Sequence, residues 1–258
     1  MARLSPLAAC LVLGLATLGA RADTIASAQY VVNLGGNIVA SAKFDFLEDG
    51  KAYSLALDAK ITGIAQLVAS GIAKASSAGT VGGDGLQSEK FELLTRSGGD
   101  DFNVKVTFAD GNVTSFVVNP AIVNNIDRVP IERKQLVGVN DMLASFILKG
   151  DKLDRSICDN RQKVFTGVER FDLAFRYARD DVATSPRTGY QGPVVLCAVK
   201  YTPVSGHYTT SELTKSLAGD DRILVWYAPL RDTDWFIPYR LLMTTSMGDL
   251  SMVLTKLE

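Results

Sequence analysis

The chain has 258 residues, 47% of them hydrophobic, with 27 Lys and Arg against 28 Asp and Glu, a net charge of −1. That length allows a sizeable core, and a balanced charge without a basic stripe argues against a nucleic-acid surface. Zinc takes three or four Cys, His or carboxylate ligands, and the chain has a single His, so no metal and no cofactor are expected.

The first segment reads as an export signal. Met1-Ala2-Arg3 carries one positive charge, an apolar stretch runs over 7–19, and Ala20-Arg21-Ala22 has the small-x-small form of a cleavage site. Thirteen apolar residues cannot span a bilayer of about 30 Å as a helix. Leu7-Ala8-Ala9-Cys10 resembles a lipoprotein signal, but the apolar run continues past Cys10, whereas a lipidated Cys follows its apolar region. Cleavage after Ala22 is therefore expected, placing residues 23–258 in the periplasm as a single domain with no transmembrane segment. It removes two arginines, leaving 25 Lys and Arg against 28 Asp and Glu, a net charge of −3.

From residue 38 onward, alternation of period two dominates. Tyr53, Leu55, Leu57 and Ala59 share one face while Ser54, Asp58 and Lys60 share the other; the same holds for Phe102, Val104, Val106 and Phe108, and for Phe171, Leu173, Phe175 and Tyr177. Such patterns are half-buried strands. Asp49-Gly50, Asp110-Gly111 and Gly248-Asp249 punctuate them as tight turns. About ten to twelve strands at this spacing predict an antiparallel meander curled into an open barrel or β-spiral.

Two stretches carry helical spacing instead. In 62–76, Ile64, Leu67, Val68 and Ile72 form an apolar stripe, either a plug for the sheet or the lining of a ligand cavity. In 140–149, an Asn or Asp cap precedes Met142, Leu143, Phe146 and Ile147. Two short helices docked on the sheet are thus expected. The 179–192 segment reads as a mobile loop. Cys158 and Cys197, left as an even pair in an exported chain, are expected to form a disulfide.

No reaction is legible. A Ser-His-Asp hydrolase needs an imidazole, and His207 in Val204-Ser205-Gly206-His207-Tyr208 lacks a nucleophile elbow, so it reads as an exposed loop residue. The pairs Asp100-Asp101, Asp180-Asp181 and Asp220-Asp221 read as turn acids, since neighbours on a strand face opposite ways. Gly79-Thr80-Val81-Gly82-Gly83-Asp84-Gly85 lacks the Gly-Lys-Ser/Thr of a phosphate loop and reads as a turn.

Tyr30-x-Val32-x-Leu34-Gly35, the strand 38–46, Tyr53 to Leu57, Thr62-Gly63, and Asp84-Gly85-Leu86 leading into Phe91 follow one another along the chain. Leu224-x-Trp226 with Pro229, Pro238-x-Arg240 and a closing strand after Gly248 complete the series. In this order the chain resembles a bacterial family of exported proteins, domain-of-unknown-function family 3108. It departs from the family pattern at 231–237, which is longer and more aromatic. The resemblance implies a periplasmic, mostly antiparallel protein of the cell envelope, similar in outline to carriers that hold acyl chains in a half-closed barrel, and it brings no catalytic residues.

The expected function is non-enzymatic binding or scaffolding in the envelope through a protein partner, met at an exposed strand edge or at an aromatic rim of Trp226, Trp235 and Phe236. The alternatives are a lipid or acyl-chain carrier with an apolar cavity, and a carboxylate-dependent hydrolase of envelope polysaccharide, which needs two facing acids about 5–10 Å apart.

Overall fold

The structure, a computed structural model, describes residues 23–67, 70–220, 222–245 and 248–258. The export signal at 1–22 lies outside the described residues. The strands are β1 (Asp23–Leu34), β2 (Asn37–Glu48), β3 (Ala52–Ile61), β4 (Gly71–Gly82), β5 (Gly85–Ser97), β6 (Asp100–Ala109) and β7 (Asn112–Asn119) in the first half. The second half holds β8 (Leu148–Lys149), β9 (Arg161–Phe165), β10 (Arg170–Ala183), β11 (Gly192–Ser205), β12 (Ile223–Pro229), β13 (Trp235–Thr245) and β14 (Gly248–Leu257). A six-residue helix, α1 (Glu212–Leu217), precedes β12.

Among the described residues all fourteen strands belong to one antiparallel sheet, ordered β7-β6-β5-β4-β3-β2-β1-β14-β13-β12-β11-β10-β9, with β8 added beside β13. Each half is a meander, and the first and last strands of the chain join them: Ala28 pairs with Leu257 and Leu34 with Leu250. The hairpins arise where the sequence permits positive φ. At the β6–β7 turn Asp110 and Gly111 have φ of 51° and 72°, the left-handed pair that lets a two-residue loop follow the strand twist.

The sheet is not closed into a barrel by pairing of β7 with β9, yet its two ends meet through side chains. Phe116 of β7 packs edge-on against Phe165 of β9 at 5.2 Å between ring centroids. The connection between the halves, residues 120–147, crosses the inner side and fills it. Leu136 and Val139 are buried with Phe91, Val104, Val106 and Phe165, while Ala144 and Ile147 join Phe46, Leu55, Trp235 and Ile237. Asn140 pairs in parallel with Val164, so this connection also covers the outer edge of β9. Burying an aliphatic or aromatic side chain contributes about 1.5–3 kcal/mol, and the connector is held chiefly in this way.

The two predicted helices are not helices of the expected kind. Residues 63–67 form a single 3₁₀ turn and the chain re-enters the sheet at Gly71. The sheet wins because buried Ala75 and Ser77 alternate with exposed Lys74 and Ser76, and pairing with β3 and β5 takes up backbone groups that a marginal helix would have left frayed. In 140–149, Ala144–Phe146 make one 3₁₀ turn and Leu148–Lys149 pair with Trp235 and Phe236. Helix α1, which the hydrophobic pattern did not point to, is capped by Ser211, whose hydroxyl accepts from Thr214 N–H at 3.2 Å. Part of the predicted 179–192 loop is strand, since β10 pairs with β11 as far as Ala183.

One close approach is a sensitive point. A Cβ on Gly79 would lie 2.0 Å from the Gln87 carbonyl oxygen and 2.8 Å from Glu89 N, both backbone. Gly79→Ala is expected to cost about 2 kcal/mol, as overpacking does, and denaturant titration checks it; an unchanged midpoint would mean that the bulge between Ala78 and Gly79 yields freely.

Candidate functional site

The interior holds one dense polar cluster. Asp141 is fully buried, three residues before the 3₁₀ turn Ala144–Phe146. Its Oδ1 accepts from the N–H groups of Leu143 and Ala144 at 2.7 and 3.0 Å, a capping arrangement. Its Oδ2 accepts from Ser77 Oγ of β4 at 2.5 Å and from Ser88 Oγ of β5. The Tyr53 hydroxyl of β3 reaches both serines, at 2.9 and 3.3 Å. Asn140 donates to Leu86 O at 2.7 Å and accepts from Ser88 N–H at 2.9 Å. Burial pushes the Asp141 carboxyl above its ordinary value, against the pull of its hydrogen bonds, and burial together with Asp141 pushes the Tyr53 phenol up. The cluster ties the connector to the sheet.

The sequence-predicted residues do not come together. Ile64 and Leu67 lie on the 3₁₀ turn, with their side chains outside the described part; Val68 lies outside the described residues; Ile72 is on β4, paired with Lys60 and Arg96. The aromatic trio faces the interior and forms no rim. Trp235 is 1% and Phe236 3% exposed, Trp235 packs edge-on against Phe46 at 5.4 Å, and buried Trp226 donates from Nε1 to Asp181 at 2.9 Å. Their periodicity gave no clue to this, because β12 and the start of β13 are covered on both faces, with Trp226 and Trp235 in one cluster and Tyr227 and Phe236 in another.

His207 is part-buried rather than exposed. Its carbonyl accepts from Val129 N–H at 3.0 Å, and its Nδ1 has no hydrogen-bond partner among the described residues. Burial pushes the neighbouring Glu169 carboxyl up, offset by the charges of His207 and Arg128. One acid of each pair has a structural partner among the described residues. Asp101 binds Arg96 at 2.5 Å, Asp181 accepts from Trp226, and Asp220 binds Lys200 at 2.7 Å; each of these carboxyls is held below its ordinary range, Asp101 by the Arg96 hydrogen bond, Asp181 by Trp226 first, and Asp220 by Lys200.

What the structure does expose is a free sheet edge. β7 has β6 on one side, and among the described residues no strand on the other. Its sequence, Asn112-Val113-Thr114-Ser115-Phe116-Val117-Val118-Asn119, carries no charge, and of the devices that commonly guard exposed edges it has a bulge at Thr114 and Pro120 directly after it but no Lys. Val117 is 61% exposed, and Val123 and Ile126 in the following loop are 89% and 91% exposed. Beside them lies an apolar slot of about 410 Å³ lined by Phe116, Val118, Ile122, Pro130 and Ile131. The edge was legible as an uncharged strand; that it stays unpartnered was not.

Fold and site together define a protein built from one open antiparallel sheet, filled by its own connector, whose β7 has no second strand partner among the described residues. The chain belongs to the family described as protein of unknown function (DUF3108), whose model matches residues 29–255. Comparison with curated proteins and with solved structures gave no match. No helix among the described residues is long and apolar enough to cross a membrane.

Proposed function

We propose that this chain is a periplasmic, non-enzymatic binding protein of the cell envelope that adds an extended segment of a protein partner to the free edge of β7. The observation that carries the reading is that edge: eight uncharged residues, no neighbouring strand among the described residues, and exposed Val117, Val123 and Ile126 around it. Strand addition supplies main-chain hydrogen bonds for affinity and alternate side chains for selectivity. Supporting export are the pattern of residues 1–22 and the Cys158–Cys197 disulfide, a bond typical of oxidising compartments.

The test is a photo-crosslinking amino acid at Ser115 in intact cells, with and without the double substitution Val117→Glu/Ile126→Asp. Glu at 117 would sit opposite Lys105, so the fold should tolerate it. A discrete heteromeric product is expected, reduced at least about tenfold by the substitutions, as desolvating two new charges on binding requires. Equal yield from both proteins, or adducts only between copies of this chain, would refute the reading. The apolar slot favours acyl-chain carriage as a second reading; a lipid retained in native mass spectra and lost in Phe116→Asp would establish it.

A further inference from the structure

The edge of β7 has a definite length and two unlike sides. A bulge leaves Thr114 without a register partner on β6, and Pro120, directly after the strand, has no N–H to offer, so the regular part of the edge is 115–119. Val106 pairs with Phe116 and Val104 with Val118, and both partners are buried, so Phe116 and Val118 share the inner side. Val117, opposite Lys105, faces outward. A strand laid along this edge continues the same alternation, with every second side chain on the inner side and about 7 Å from the next.

Against that inner side lies the slot of about 410 Å³, whose other wall the connector supplies through Ile122, Pro130 and Ile131. Arg128 is the one ionisable residue that lines it. Two of its nitrogens are committed, Nε donating to Gly206 O at 2.7 Å and Nη2 to Val168 O at 2.6 Å, and the Glu169 carboxyl is within electrostatic reach. The slot thus offers a desolvated charge of either sign no free counter-charge. Phe116, which lines it, stands edge-on to Phe165 at 5.2 Å, a geometry in which aromatic rings attract beyond the area they bury. An acyl chain would fill the slot but leave the main-chain groups of 115–119 to water. An extended peptide pairs with those groups and fills the slot at once.

Given strand addition at β7, on which the rest depends, we propose that the partner segment is uncharged over the stretch that pairs with 115–119 and carries aromatic side chains at two alternate positions, which enter the slot together. Charge matching sets the first property, because a lone charge taken from water beside an uncharged strand is costly. The alternation of the edge and the volume of the slot set the second. A single aliphatic side chain would leave much of the slot unfilled and its lining atoms without contacts on one side. Selectivity then lies in the order of the partner's residues, not in their composition alone.

Two acetylated, amidated and fluorophore-labelled peptides, Thr-Phe-Thr-Phe-Thr and Thr-Phe-Phe-Thr-Thr, are titrated with the native protein and followed by anisotropy. The alternating order is expected to bind at least about tenfold more tightly, as burying one more aromatic side chain provides. Ile122→Asp should weaken it by a similar factor, and Val117→Thr, on the outward side, by no more than about twofold. Should Ile122→Asp fail to fold, the two peptide orders on the native chain still decide. A benzophenone in place of either Phe should label residues within 115–131. No binding of the alternating peptide, equal binding of both orders, labels confined to the other half of the molecule, or displacement of the peptide by an equal concentration of oleate would overturn the proposal. A Ser115 adduct in cells alongside equal binding of both orders keeps strand addition and removes the aromatic alternation; loss of both removes both.

Discussion

Replacing Asp141 with alanine is expected to lower stability by about 3–5 kcal/mol, the largest effect of any single substitution considered. The carboxylate satisfies two backbone N–H groups of the connector and two serine hydroxyls of the sheet, all away from solvent. Truncation leaves those groups without an acceptor, at roughly 1–3 kcal/mol each and less than additively. For a domain of this size that is a fall in Tm of roughly 6–20 °C. Asp141→Asn is the informative companion, since its carbonyl can accept from Leu143 and Ala144 while its amide donates to the serine oxygens; it should stay within about 1 kcal/mol of the native chain.

The pH dependence follows from the direction of the shift. Burial raises the folded-state pKa of Asp141 above that of the unfolded chain, so the folded state keeps a proton the unfolded state releases. The stabilisation from this group is complete below the ordinary carboxylate value and falls away as pH rises through the folded one. Thermal melts across that window should show a downward slope for the native chain that Asp141→Asn lacks. Parallel slopes would mean that Asp141 does not titrate there.

Removing the Cys158–Cys197 bond, by Cys→Ser at both positions, is expected to cost about 4 kcal/mol, from the entropy of closing a loop whose ends are 39 residues apart. That corresponds to roughly 8–16 °C in Tm. The loss should be larger for local structure around the 3₁₀ turn 155–158 than for β1–β7, which the bond does not touch. Hydrogen exchange reads this directly. Uniform acceleration through both halves would show that the sheet unfolds only as a unit, and an unchanged Tm would place the bond outside the stabilising core.

The strands were readable because strand structure is written locally. Period-two alternation at Tyr53 to Ala59 and Phe102 to Phe108, and the Asp110-Gly111 turn, need no knowledge of distant residues, since pleat geometry and positive φ act within a few positions. The disulfide was readable for a similar reason of simple counting. The 62–76 stripe misled because Ile64, Leu67 and Ile72 fit a helical face, while the pairing partners that draw Gly71 onward into β4 lie far along the chain in β3 and β5.

By itself, then, the sequence determined a mainly antiparallel β protein with one cross-link and no evident reaction chemistry. Tertiary structure alone decided which side chains share a place. Asp141 meets Ser77 across 64 positions, Trp235 turns inward against Phe46, and β7 has no second strand partner among the described residues. These juxtapositions depend on how the sheet curls around the connector and on what it buries there, which are collective outcomes of packing that no short window of residues encodes.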